Sequence, residues 1–143
     1  MTSVVFAPDG TQLLTGCGDG RARIWSLRSR RVVREVGGSG GAVLDARWSG
    51  DGRWIVTGGV DATARVWEAQ DGALVASFRT RGPISHVSAS SSGALVAVTS
   101  AEGTEARIYR CTVCRPLRDL LRMARGVVTD RLSPEDRRLV FEP

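Results

Sequence analysis

Few side chains in this chain are equipped for chemistry, and their spacing limits what they could do. Cys111 and Cys114 have the separation of a metal-ligand or redox pair. Structural zinc wants four ligands, and the only other candidates, Cys17 and His86, fall in distant stretches of sequence. A thioredoxin-like role needs a βαβ setting, and the surrounding pattern is strands alone. The pair is therefore expected to pack as two small residues where strands give way to a helix, and Cys17 to lie buried inside a strand. His86 is the only histidine, with no nucleophile-elbow motif to serve as a base. The glycine run from Gly37 to Gly41 lacks the lysine and helix of a phosphate loop. Asp19 and Asp61 could suggest paired carboxylates for acid/base work, but both stand in equivalent turns of a repeated segment. No residue set points to an enzyme, a metal or a cofactor.

The repeat is what organises these residues. APDGTQLLTGCGDGRARIW, ending at Trp25, aligns with SGDGRWIVTGGVDATARVW, ending at Trp67, 42 residues later. A weaker third copy, SSSGALVAVTSAEGTEARIY, ends at Tyr109 after one inserted residue near positions 102–104. Each copy alternates apolar and polar residues over short runs, separated by Gly and Asp turns, which predicts strands and no helix. In the second copy the strands are expected at 43–48, 54–58, 64–68 and 73–78, with turns at 49–52, 60–62 and 70–72. Asp-Gly pairs at 9–10, 19–20, 51–52 and 71–72 fall where a tight hairpin needs positive φ, which Gly supplies without steric cost.

With Trp25, Trp67 and Tyr109 on the third strand, Asp19 and Asp61 in the hairpin, and Thr15 and Thr57 on the second strand, the first three quarters of the chain resembles the WD-repeat β-propellers. Thr99 is the nearest third-copy match to the hydroxyl. The resemblance implies an all-β, partial propeller of about three four-stranded blades, the last incomplete, with repeats at 1–38, 39–79 and 80–110. In that family Thr or Ser, Trp, Asp and a Gly-His histidine form a hydrogen-bonded network in each blade. Here Ser39 and Thr80 stand at the histidine's positions, so the network is expected to be partial and the blades softer. Three blades cannot close a ring. Met1 at the start of an inner strand, and a third repeat that stops after three strands, are expected of the C-terminal part of a longer propeller. Copies that associate to complete a ring are the alternative.

Residues 111–143 read as a helical tail. Leu117, Leu120, Leu121, Ala124 and Val128 recur at helical spacing, and Ser133, Pro134, Glu135 and Asp136 form the start of a second helix. A Cys-x-x-Cys followed by a leucine-rich helix and a Ser/Thr-Pro-Glu helix is similar to the end of many bacterial WD-repeat proteins. That similarity implies a bacterial origin and a natural C-terminus near Pro143.

Composition adds little. Hydrophobic residues make up 42% and charged residues 24%, ordinary for a globular chain. All 20 basic residues are Arg, spread over strand positions and not clustered, so the net charge of +5 does not indicate a nucleic-acid partner. No apolar run is long enough to cross a bilayer, no secretory signal opens the chain, and three cysteines fit a reducing compartment, so the expected location is cytoplasmic. The resemblance implies a scaffold or docking module for protein partners, contacting them through the loops at 37–42 and 79–83 and the hairpin tips at Gly18 and Val60. Asp45, Val60, Arg81 and His86 are the candidate contacts. A regulatory or sensor portion of a multidomain bacterial signalling enzyme, with an NTPase, kinase or protease-like domain upstream, is the second expectation.

Overall fold

The computed structural model describes residues 1–37, 40–101 and 106–114. The expected tail helices, the insertion at 102–104 and Ser39 lie outside the described residues. Eleven strands follow one another: β1 (Ser3–Phe6), β2 (Gln12–Gly16), β3 (Arg21–Ser26), β4 (Arg31–Gly37), β5 (Val43–Trp48), β6 (Trp54–Gly59), β7 (Thr63–Glu68), β8 (Leu74–Arg79), β9 (Ile84–Ala89), β10 (Leu95–Ser100) and β11 (Ala106–Arg110). They form three antiparallel meanders, β1 to β4, β5 to β8 and β9 to β11. The four-strand pattern expected for the second copy matches the observed strands to within a residue at each end.

Each meander forms because its strands are too short to bury both faces alone, while the turns between them force reversal after every run. Gly52 occupies the first hairpin turn of the second sheet at φ 71°, a conformation in which a Cβ would clash. The β6–β7 hairpin departs from this rule. Ala62 takes φ 58° where the first sheet has Gly20 at φ 84°, so an L-residue is held in the left-handed region.

The sheets pack face on face through two apolar cores. Leu14, Ile24 and Val36 of the first sheet meet Ala46, Trp48, Ile55 and Trp67 of the second. The opposite face of the second sheet sets Val56, Ala64 and Val66 against Ile84, Val87, Val96 and Val98 of the third. At about 25 cal/mol per Å² of apolar surface, a buried residue of this size contributes roughly 1.5–3 kcal/mol. Packing at Gly58 is close: a Cβ built there would lie 2.6 Å from the side chains of both Ile84 and Val87.

The register of the third sheet corrects one motif assignment. Val98 pairs with Arg107 and Val87, as Thr57 pairs with Arg65 and Ala46. Val98 therefore takes the place expected for Thr99, which lies one residue further and faces the other way. The physical reason is that the spacing between the inner strands of the second and third sheets is one residue shorter, and the residue is regained only before β11.

The cysteines also differ from expectation. Cys111 and Cys114 are joined in a disulfide, and both are buried in the second core beside β10. They are packed, as expected, but as one bonded pair and not as two free thiols. Cys17 is buried and free, one residue beyond the end of β2.

Urea unfolding should separate the two backbone constraints. Gly58→Ala is expected to lower stability by about 1–3 kcal/mol through overpacking between sheets. Ala62→Gly is expected to raise it by about 0.5–1 kcal/mol by relieving the left-handed strain.

Candidate functional site

The hydroxyl and indole of the repeat meet as the pattern requires. Thr57 and Trp67 lie on neighbouring strands, two positions off direct register, and the Trp67 Nε1–H donates to Thr57 Oγ1 at 2.9 Å. In the first sheet Trp25 Nε1–H donates to Thr15 Oγ1 at 3.1 Å. The third sheet has no hydroxyl in this place, and Tyr109 is used differently. Its hydroxyl donates to the Arg79 carbonyl at 3.1 Å, and its ring stacks on Phe78 at 4.8 Å between centroids.

The hairpin aspartates are held by arginine. Asp61 Oδ1 accepts from the Thr63 amide at 3.1 Å, and Oδ2 accepts from Arg65 Nη2 at 2.7 Å. Asp19 repeats both contacts with the Arg21 amide and Arg23 Nη2. Arg23 also donates through Nε to Glu35, and Arg21 to the other Glu35 oxygen, each at 2.7 Å. Hydrogen bonding to Asp19, then Glu35, pushes the Arg23 guanidinium above its ordinary value. Arg23 holds the Asp19 carboxyl below the usual carboxylate range, and Arg21, then Arg23, does the same for Glu35. The repeated Asp-x-x-x-Arg at 19–23 and 61–65 was visible in the sequence as a signal for this pairing.

Thr80, at one of the two histidine positions, ties two loops together. Its amide donates to the Ala62 carbonyl at 2.8 Å, and its hydroxyl reaches the Ala62 and Gly82 carbonyls. On the neighbouring hairpin the Val60 amide donates to the Ala42 carbonyl, and Val43 to that of Cys17. The interblade loops and the β2–β3 and β6–β7 hairpins thus interlock at one end of the sheets. Val60 and Arg81 are exposed there, one on each of the two loops that Thr80 joins.

The other two candidate contacts lie elsewhere. Asp45 is buried and is corrected as a partner contact: its Oδ2 accepts from the Val87 amide of the third sheet at 3.1 Å, and its Oδ1 from its own neighbour Ala46. Ser3, its equivalent 42 residues earlier, accepts from the Ala46 amide at 3.1 Å. Each innermost strand therefore offers one side-chain acceptor to the innermost strand of the next sheet. Spacing alone gave no sign of this staple, because a polar residue on a strand looks like a solvated one. His86 is exposed on β9, with Nδ1 3.8 Å from Asp45 Oδ2.

A cleft at the opposite end, lined by Gln12, Trp48, Arg53, Glu68 and Gln70, gathers no nucleophile beside a base. Among the described residues no three metal-ligating side chains converge, and no helix is long and apolar enough to cross a membrane.

Three radially stacked antiparallel meanders, each hydrogen-bonded to the next through its innermost strand, define part of a β-propeller. Residues 1–26 and 30–68 match the family model described as WD domain, G-beta repeat. Among solved structures, the β-propeller domain of Myceliophteria thermophila Cps50 (Swd1) superposes with a TM-score of 0.68 at 25% identity. The match covers 76% of this chain and 38% of that one, so the chain spans well under half the length of that propeller. No curated protein sequence matches.

Thr57→Val is expected to cost about 1–3 kcal/mol in urea unfolding, because it leaves the buried Trp67 N–H unpaired; Thr15→Val should cost less, since Trp25 is only half-buried. Asp19 and Glu35 have depressed pKa values, so their contribution is present above the usual carboxylate range and is lost as pH falls through the depressed values. Urea midpoints measured against pH should fall along that acid limb, and Glu35→Gln should flatten it.

Proposed function

We propose that this chain is a non-catalytic docking module that binds protein partners through the loop end of its blades. The observation that carries this reading is the interlocked rim, where Thr80 fixes the β8–β9 loop to the β6–β7 hairpin and leaves Arg81 and Val60 exposed. A rigid rim presenting an aliphatic side chain and a guanidinium suits a protein surface, since binding costs less ordering entropy when the loops are already fixed. The WD-type repeats and the propeller neighbour support a protein-interaction scaffold.

The same reading takes the module as the C-terminal part of a longer bacterial propeller, with no nucleic acid, membrane or cofactor needed for its action. Of the candidate contacts, Val60 and Arg81 remain as residues for a partner at this rim. His86 sits apart from it, exposed on β9 beside Asp45 of the second sheet.

The test is quantitative affinity capture with the wild type and with a Val60→Asp/Arg81→Glu double variant whose circular dichroism is unchanged. Proteins retained by the wild type and lost from the variant are the expected result. Equal recovery by both would remove the rim as the docking surface.

A further inference from the structure

The cleft at the end opposite the rim has a filled copy between the next two sheets. Its walls come from the first and second sheets, with Gln12 at the start of β2 on one side and Trp48, Gly52, Arg53, Glu68 and Gln70 on the other. The corresponding corner of the third sheet is built by an equivalent bond: the Ala69 amide donates to the Arg53 carbonyl at 2.8 Å, and the Cys111 amide to the Ala94 carbonyl at 2.9 Å. Gly52 and Gly93 hold the same turn position, at φ 71° and 70°. Between the second and third sheets the place of Gln12 is taken by Trp54, which starts β6 as Gln12 starts β2. The Trp54 ring covers Gly93 so closely that a Cβ on that glycine would overlap it. Trp54 is buried there in one core with Cys111 and Cys114. Over Gly52, by contrast, a Cβ would meet only Pro8 Cδ, 3.8 Å away. The indole that closes one corner is absent from the other, where a cleft of about 250 Å³ remains.

We propose that this cleft is a second docking site, which takes one aromatic side chain, tryptophan above all, from a segment of a partner protein. Size decides the class of occupant. A cavity of roughly 150 Å³ is enough for a benzene ring, whereas pockets for drug-sized ligands and cofactors begin at about 300 Å³. Trp48 supplies an aromatic wall for the incoming ring. Polarity selects the indole. In the filled corner the Trp54 N–H has no acceptor among the described residues, and the strand end beside it carries Arg110 where the open cleft has Glu68. The half-buried Glu68 carboxylate is an acceptor for an indole N–H seated in the cleft. Gln12, Gln70 and Arg53 offer donors and acceptors to the peptide groups on either side of the ring, which is why the occupant is a protein segment and not a free aromatic molecule. The inference shares with the Val60–Arg81 rim the reading of this chain as a protein-docking module, but it uses the other end of the sheets.

The experiment is a fluorine NMR titration of the full chain with an end-capped glycine–fluorotryptophan–glycine peptide, beside the same peptide carrying fluorophenylalanine and beside free fluorotryptophan. The wild type is expected to bind the tryptophan peptide with a Kd of about 1 mM or tighter, and the phenylalanine peptide about three- to tenfold more weakly, the loss of one hydrogen bond. Free fluorotryptophan should bind more weakly than the tryptophan peptide. Gln12→Trp, which supplies the ring from within the chain, should lower affinity at least about tenfold while circular dichroism stays unchanged. Glu68→Ala should reduce the tryptophan peptide to the affinity of the phenylalanine peptide and leave the latter as it was; this variant carries the test if Gln12→Trp does not fold. The Val60→Asp/Arg81→Glu variant should bind the peptide as the wild type does, so failure of the rim and failure of the cleft are read separately. A wild type that takes no peptide up to about 10 mM, as when another part of the chain already fills the cleft, overturns the inference. Undiminished binding by Gln12→Trp does so equally, and free fluorotryptophan binding more tightly than the peptide overturns the assignment to a protein segment.

Discussion

Every sheet in this molecule has two apolar faces, and that constraint governs the rest of the structure. A strand pattern such as that of β6, buried along its whole length, has no solvent side. The second sheet meets the requirement by lying between the other two, with Trp48, Ile55 and Trp67 on one side and Val56 and Val66 on the other. Glycine at position 58 follows from the same constraint, because the second and third sheets approach too closely there for any side chain. Among the described residues the outer sheets carry apolar side chains on both faces as well, with Val4, Phe6 and Ile108 exposed.

Polar groups are fitted into this stack in a way that links strands and sheets. Within a blade, the Trp–Thr hydrogen bond joins the third strand to the second and gives the indole N–H a partner in the interior. Between blades, Ser3 and Asp45 cap amides of the adjacent inner strand, so register along the stack is set by directional bonds as well as by packing. In the hairpins Asp19 and Asp61 each hold a guanidinium four residues on. This pairing is more exposed than a buried network and therefore contributes less to stability. Thr80 ties the β8–β9 loop to the β6–β7 hairpin.

The sheet interiors are committed to packing, which is why the proposed docking surface lies on loops that a stiff scaffold holds in place. The rim at Val60 and Arg81 has that character because backbone hydrogen bonds fix the loops beneath it. Asp45, polar and promising as a contact when seen in sequence, is instead consumed by the stack itself.

Read from the residues alone, the repeat, its strands and the Trp–Thr and hairpin positions were legible, because a period of 42 residues and a two-residue alternation are properties of the chain that packing only amplifies. The Thr99 assignment failed because one residue's shift in a strand exchanges its faces, and a compensating insertion hid that shift from the alignment. Burial of Asp45, the exposure of His86 beside it and the Cys111–Cys114 bond were decided only by the tertiary structure. Each depends on which residue of one sheet arrives opposite which residue of the next, or on where a side chain is carried by its strand. The sequence by itself determined that there are repeated blades; which faces are covered, and which polar groups are thereby withdrawn from partners, is determined by how the blades stack.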